Sequence, residues 1–225
     1  MPSRRNSVES TRICTRGELA MVKKWMGLAT LSLLAGLMVL PLINVQAAED
    51  GWVSLFNGKD LTGWKASEMG DFKVEEEAIV VRGKRAHLFT EKEFKNFEFK
   101  CEIMTQPGSN SGFYFHTKYE ETFPSQGYEA QVNCSHRDPV RNGSLYNVVK
   151  NRDPIAKDNE WYTLEISVKG KEIITKINGK TVVEYIEPDG VTGPRKLSKG
   201  SFAIQAHDPM SVVKFRKLMV KELPE

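Results

Sequence analysis

Three short segments of this 225-residue chain alternate apolar residues with groups that can move protons or bind hydroxyls. "SGFYFHT" offers Tyr114 and His116, "GYEAQVN" offers Glu129 and Gln131, and "GSFAIQAH" offers Gln205 and His207. Successive side chains of a strand point to opposite faces, so each pair shares one face and the apolar residues take the other. If the three strands are neighbours, a carboxylate, two imidazoles, a phenol and two amides converge on one sheet surface. Such a set can perform general acid–base chemistry. It also suits a sugar, whose hydroxyls need paired donors and acceptors and whose ring faces stack on aromatics. His116, Glu129 and His207 would in addition make a facial set for a divalent cation, although no cofactor is required by the pattern. The plainer account is a half-wet sheet whose outward residues are polar because they meet water.

Other motifs are missing. There is no phosphate loop, dinucleotide fingerprint, H-E-x-x-H or G-x-S-x-G in the sequence. The histidines are His87, His116, His136 and His207, and no two are spaced as a metal motif.

The elements that must position these groups are strands. "NFEFKCEIM" places Phe97, Phe99, Cys101 and Ile103 on one face, with Glu98, Lys100 and Glu102 on the other. "EWYTLEISVKGKEIITKINGKTVVEYIE" carries three strands, with tight turns at Gly170 and at Asn178-Gly179. With "FKVEEEAIVVRG", "HLFT" and "SVVKFRKLMVKEL" the chain holds about a dozen short strands, the spacing of a sandwich or jelly roll. No stretch has helical periodicity and no repeat of 20–50 residues is visible. "CSHRDPVRNG" (134–143) and "EPDGVTGPRKLSK" (187–199) are longer and more polar than hairpins need, and binding groups concentrate on such loops.

Residues 1–47 read as a leader. From Met21, a second candidate start, Lys23 and Lys24 precede an apolar run broken by Pro41, and Val45 and Ala47 fit a signal-peptidase site. The expectation is a secreted or periplasmic protein cleaved near Ala47, with one domain over 48–225 and no stable membrane span in the mature chain. Six of the 32 Lys and Arg, but two of the 29 Asp and Glu, fall in 1–47, so the formal charge of +3 belongs to the leader. A nearly neutral domain without a basic run argues against nucleic acid as partner. Cys101 and Cys134 would survive cleavage and leave a bridge between them open to geometry.

At these residues the sequence resembles the 3-keto-disaccharide hydrolase domain family, also known as 3-keto-glucoside lyase/hydratase. The likeness runs from Gly51 to Leu223 through "GWVSLFNGKDLTGW", "GSNSGFYFH", "GYEAQV", "GSLY", "NEWYTLEISVKG", "INGK" and "IQAHDPMSVVKFRKLMVKEL" in order. It departs from many relatives at His116, where they read N-S-G-x-x-x-R, and at "AHDPMS", a segment often written with His-Gly. The resemblance implies an all-β, concanavalin A-like jelly-roll sandwich in an exported bacterial protein. It further implies cleavage of 3-keto-glycosides: a ketone at C3 acidifies the C2 hydrogen, the enolate expels the glycosidic oxygen, and water adds across the enone. An oligosaccharide or glycoside would be the substrate, and a sugar oxidoreductase could supply its ketone.

On that reading Glu129 is the candidate base and His207 the candidate acid, or the base if Glu129 instead binds a cation, with His116 stabilising the enolate beside Tyr114. Gln131, Gln205, Tyr146 and Arg137 are candidate substrate contacts, Arg137 and Arg141 being otherwise solvated loop charges. Ser111 and Asn110 read as support for the "NSG" turn, Trp52, Trp64 and Trp161 as packing, Glu102 as a wet strand position, and Arg216 as partner to a carboxylate. The main alternative is a non-catalytic, lectin-like carbohydrate-binding module; a structural interaction domain with a shallow polar face is a third.

Overall fold

The computed structural model describes residues 49–67 and 69–225, so the expected leader and its cleavage site lie outside the described residues. Among the described residues, thirteen strands build two antiparallel sheets. The larger contains β1 (Val53–Ser54), β3 (Asp71–Glu75), β4 (Ala78–Arg82), β6 (Phe97–Thr105), β9 (Tyr162–Lys169), β10 (Glu172–Ile177), β11 (Lys180–Ile186) and β13 (Val213–Glu222). Its order is β11-β10-β9-β6-β13-β4-β3, with β1 against β13. The smaller sheet runs β2-β5-β12-β7-β8, from β2 (Trp64–Ala66), β5 (Ala86–Phe94), β7 (Ser111–Thr117), β8 (Tyr128–Val132) and β12 (Gly200–Ala206).

Alternation decides which faces meet. β6 and β9 bury every second residue, as a strand with one dry and one wet face should. Their dry sides face the apolar parity of β7 and β12 across a phenylalanine core: Phe99 stacks on Phe113 at 4.0 Å, and Phe97 meets Phe202 edge-on at 4.7 Å. Burying each such ring stabilises the fold by about 2–3 kcal/mol. The β9–β10 and β10–β11 hairpins of the larger sheet turn at Gly170 and at Asn178-Gly179, all with positive φ, as tight turns require.

β7, β8 and β12 differ: every residue of each is buried. Their outer face is covered in part by Phe123, Pro124, Asp138, Tyr146 and Arg195 from the segments 118–127, 134–160 and 187–199. Part of this roof pairs with the free edge of β8, through Gln131 N–H to Ser144 O and Tyr146 N–H to Glu129 O, both 2.9 Å. The half-wet sheet is therefore not what forms.

The remaining sequence expectations sort by place. Trp64 is buried and donates from Nε1 to Leu55 O at 2.6 Å, which fastens the N-terminal segment. Trp52 lies half-buried with the Lys100 ammonium 4.3 Å from its ring. Trp161 is not core: it is half-buried under the Arg216 guanidinium, 3.8 Å away. Arg216 does pair with a carboxylate, that of Glu102, at 2.6 Å. Cys101 and Cys134 are free buried thiols rather than a bridge. Among the described residues no helix is long and apolar enough to cross a membrane.

Candidate active site

The order β5-β12-β7-β8 places the three polar segments side by side, and their outer face forms the floor of a cavity of about 280 Å³. Glu129 and Gln131 rise from β8, Tyr114 from β7 and Gln205 from β12; His207 and Tyr146 stand at its walls. Tyr114 sits directly across from Glu129 in the strand pairing, so the two side chains emerge together.

Gly112 makes room for the carboxylate. A Cβ there would lie 2.5 Å from Glu129 Oε1 and 2.9 Å from its Cγ, so any larger residue would have to displace it. Glycine at this position acts as a recess in the structure.

A hydrogen-bonded row crosses the floor. Gln205 Nε2 donates to Tyr114 Oη at 2.9 Å, and the Tyr114 hydroxyl in turn donates to Glu129. Gln131 Nε2 donates to Asn110 Oδ1 at 2.7 Å. The Oε1 atoms of Gln131 and Gln205 are buried and have no partner among the described residues. Arg195 reaches in from the 187–199 loop, with Nη2 3.5 Å from Glu129 Oε2.

Burial dominates the electrostatics of Glu129. Loss of water drives its pKa up; the Tyr114 hydrogen bond and the Arg195 charge oppose this, and it settles at about 7. An ordinary Glu is fully ionised at neutrality; this one is poised there. Burial likewise lowers His87, beneath Tyr114, to about 4, so that imidazole stays neutral. His207 presents its ring to the cavity and its Nδ1 to Asp208 Oδ2 at 2.7 Å. Asp208 also accepts from Met210 N–H, Ser211 N–H and Ser211 Oγ–H. Burial pushes Asp208 up, but these bonds outweigh it and hold the group at about 2, firmly anionic.

Two expected site residues are elsewhere. His116 was expected to share the face of Tyr114, and it does not. Ser201 pairs with Thr117 and Ala203 with Tyr114, so Phe115 and His116 together oppose Phe202 in a β-bulge, with His116 at φ 59°. The bulge breaks the alternation and turns the imidazole to the far end of the sheet, against Phe97 and Lys95 O. Arg137 is exposed and does not line the cavity, because its turn points it outward while its neighbour Asp138 faces in. Arg141 donates to Asn133 Oδ1, His136 O and Asp138 O, and so holds this loop together.

The structure adds Arg195, Arg85, Asn110, Asp138 and Phe123 to the lining. Arg195 could have been suspected, since the 187–199 loop is polar, long and contains a single arginine. Asn110 was hidden behind its turn reading. Arg85 and Phe123 carry no sequence signal that separates them from other loop residues.

With His116 turned away, the facial set His116, Glu129 and His207 does not assemble. A different group does come together: ligand atoms of His136, His207 and Asp208 lie within 4.8 Å of one another. The Nδ1 atom of each imidazole is already engaged, however. His136 Nδ1 accepts from Asp138 N–H at 3.1 Å, and His207 Nδ1 is bonded to Asp208.

A family model described as a 3-keto-alpha-glucoside-1,2-lyase-like domain matches residues 51–221. No curated protein matches the sequence significantly. Among solved structures, a candidate glycosyl hydrolase of Parabacteroides distasonis ATCC 8503 aligns with a TM-score of 0.68 at 24% identity, over 77% of this chain and 94% of that one. The carbohydrate-binding module CBM66 of Bacillus subtilis aligns at 0.57 and 16% identity, over 72% and 96%. A Bacillus subtilis protein with a galectin-like fold aligns at 0.52 and 12%, over 76% and 94%. These likenesses establish the fold as a concanavalin A- and galectin-like antiparallel sandwich.

Proposed function

We propose, from the premise that the chain belongs to the 3-keto-alpha-glucoside-1,2-lyase-like family, that it is a carbohydrate-active enzyme cleaving 3-keto-glycosides by elimination and hydration. The observation that carries this reading is Glu129: a buried carboxylate raised to about 7, on the floor of a polar cavity, beside an arginine.

In this reaction Glu129 takes the proton from C2, and the electron pair moves to the C3 oxygen as an enolate. Arg195, at the same carboxylate, is the cation available to that developing charge, in the place that sequence had given to His116. The enolate collapses with loss of the C1 oxygen, which His207 protonates from Nε2 while Asp208 stabilises the imidazolium through Nδ1. Water then adds to the C1=C2 bond, giving net hydrolysis. Two carboxylates flanking the scissile bond are not needed, since the ketone supplies the activation. The unpaired Oε1 atoms of Gln131 and Gln205 are acceptors for ring hydroxyls, and Tyr114, Asn110 and Tyr146 complete the polar wall. An unpaired buried carbonyl costs about 1–3 kcal/mol, which a bound hydroxyl recovers.

The ketone itself requires an oxidoreductase acting before this step. The leader pattern in residues 1–47 would place the reaction in the periplasm or outside the cell.

The test is hydrogen exchange. A 3-keto-glucoside incubated with the protein in heavy water should lose its C2 hydrogen signal by NMR, and Glu129→Gln should stop this. Absence of exchange above background across a panel of 3-keto-glycosides rejects the reading. The second reading, a lectin-like binding module, is favoured by the fold shared with CBM66. It requires that glycan binding survive Glu129→Gln without any turnover by the unaltered protein.

A further inference from the structure

His116 is buried at the end of the sheet away from the cavity, with both ring nitrogens engaged. Nε2 is 2.8 Å from Lys95 O, and Nδ1 is 3.1 Å from Ser198 N. A carbonyl can only accept and a backbone N–H can only donate, so the proton is on Nε2 and the lone pair on Nδ1. The ring is packed edge-on against Phe97 and Phe115, at 5.8 and 5.6 Å. It thus joins the β5–β6 turn to the 187–199 loop. The His116 carbonyl adds weaker ties to Ser198 Oγ and Gln126 Nε2, each 3.4 Å.

The same loop carries Arg195 three residues before Ser198. Its course is fixed further by Gly127 N–H to Pro194 O at 2.9 Å, Arg195 Nη1 to Gly127 O at 3.1 Å, and Leu197 N–H to Glu187 Oε2 at 2.6 Å. Glu187 is itself held by the Tyr128 hydroxyl at 2.7 Å. Gly127 is required at its place, because a Cβ there would collide with the backbone of Phe115 and His116. The loop is therefore pinned to the bulge at Ser198 and to Gly127 and Tyr128 at Pro194 and Glu187, and the guanidinium it presents is fixed between these ties.

We propose that His116 is a positioning residue: by holding Ser198 N–H it fixes the loop that sets the Arg195 guanidinium against the Glu129 carboxylate. The role rests on the reading of Glu129 as base, but the coupling of the three residues can be measured without substrate. An arginine at position 116 offers donors alone and could not accept from Ser198, so the latch is a property of this chain's histidine. The charged groups near the ring are Glu187 on the loop and Lys95, which pairs with Glu225 at 3.0 Å. Burial keeps the imidazole below its usual pKa, so the lone pair stays available to Ser198 through neutral pH.

The experiment is a carboxyl carbon-13 NMR titration of Glu129 in the full chain and its variants. The unaltered protein should titrate at about 7. Arg195→Gln removes the nearby positive charge and should raise that midpoint by roughly one unit. His116→Leu should raise it similarly with Arg195 still present, whereas His116→Gln, with one acceptor and one donor, should leave it near the starting value. Ser198→Pro, which deletes the donated N–H from the loop side, should match His116→Leu and carries the test if that variant fails to fold. If the folded latch variants keep the original midpoint, or if Arg195→Gln itself leaves it unmoved, the proposal is overturned. His116→Gln shifting as far as His116→Leu would overturn it too. Failure of the catalytic reading would leave this titration intact and appear only as absent C2 exchange.

Discussion

Glu102 and Glu129 invite comparison. Each projects from a strand of a sandwich sheet, away from the phenylalanine core, and each has an arginine beside it: Arg216 at 2.6 Å for Glu102 and Arg195 at 3.5 Å for Glu129. Their chemistry runs in opposite directions. On the larger sheet partial burial raises Glu102, but bonds from Lys217 and Arg216 outweigh it and hold the group below its usual value. On the smaller sheet burial wins, and Glu129 rises to about 7. Both are glutamates with an arginine beside them; Glu102 has Lys217 in addition, and only Glu129 lies under the loops that cover β7, β8 and β12. A sandwich has two outer faces, and in this one a carboxylate is raised toward neutrality where water has been removed.

The largest contrast should be in chemistry. Glu129→Gln is expected to lower C2 exchange by about 10²–10⁴-fold, the range for losing a general base, while Glu102→Gln leaves exchange within twofold. Comparable loss from both, measured by the same NMR assay, would break the distinction between the faces. Next in size is Gly112→Ala. Its methyl would occupy space used by Oε1 and Cγ of Glu129, pushing the carboxylate off its aim. About 100-fold loss of turnover with little change in melting temperature is expected, since a misplacement of about 1 Å suffices for that loss.

Much of this architecture could be read before the structure. Strict alternation in "NFEFKCEIM" gave β6, and Asn178-Gly179 gave the β10–β11 turn, because both are local properties of the chain. The adjacency of the segments holding Tyr114, Glu129 and Gln205 was a conditional statement that pattern could frame but not decide. His116 shows why parity fails: a bulge is a backbone event at φ 59°, with no composition signature of its own, and it reverses the facing of the residue it contains. Arg195 shows a second limit. It comes to Glu129 from 66 positions away in sequence through loop closure, a contact that depends on His116, Gly127 and Glu187 together.

The two carboxylates should also differ in what they do to stability with pH. Glu129 has a folded pKa above its unfolded value of 4.5, so its contribution is fully favourable below pH 4.5 and is lost as pH rises through about 7. At pH 8 the buried charge should cost up to about 3 kcal/mol, the size implied by a shift of roughly two and a half units. Glu129→Gln is therefore expected to unfold at higher denaturant at pH 8 and to lose this advantage by pH 4. The variant that destroys activity should be the more stable protein at high pH. An equal stability difference at both pH values, in urea titrations, would show that the carboxylate is not strained by its burial.

Glu102 sharpens the comparison from the small end. Its folded pKa lies below the unfolded one, so the sign reverses: its contribution is present above the unfolded value and disappears as pH falls through the folded one. The size is limited by exposure, because Arg216 and Lys217 remain about one-third and two-thirds accessible and water screens both partners. Exposed ion pairs contribute about 0.2–1 kcal/mol, so Glu102→Gln should cost no more than about 1 kcal/mol at pH 7 and less at pH 3. Salt supplies the further discriminator. Raising ionic strength should erase most of the Glu102 effect while leaving the Glu129 stability difference nearly unchanged, since a buried charge is screened far less than a wet one. Equal salt sensitivity at the two sites would mean that the roof over β8 admits water freely, and Glu129 would then lack the desolvation on which its basicity depends.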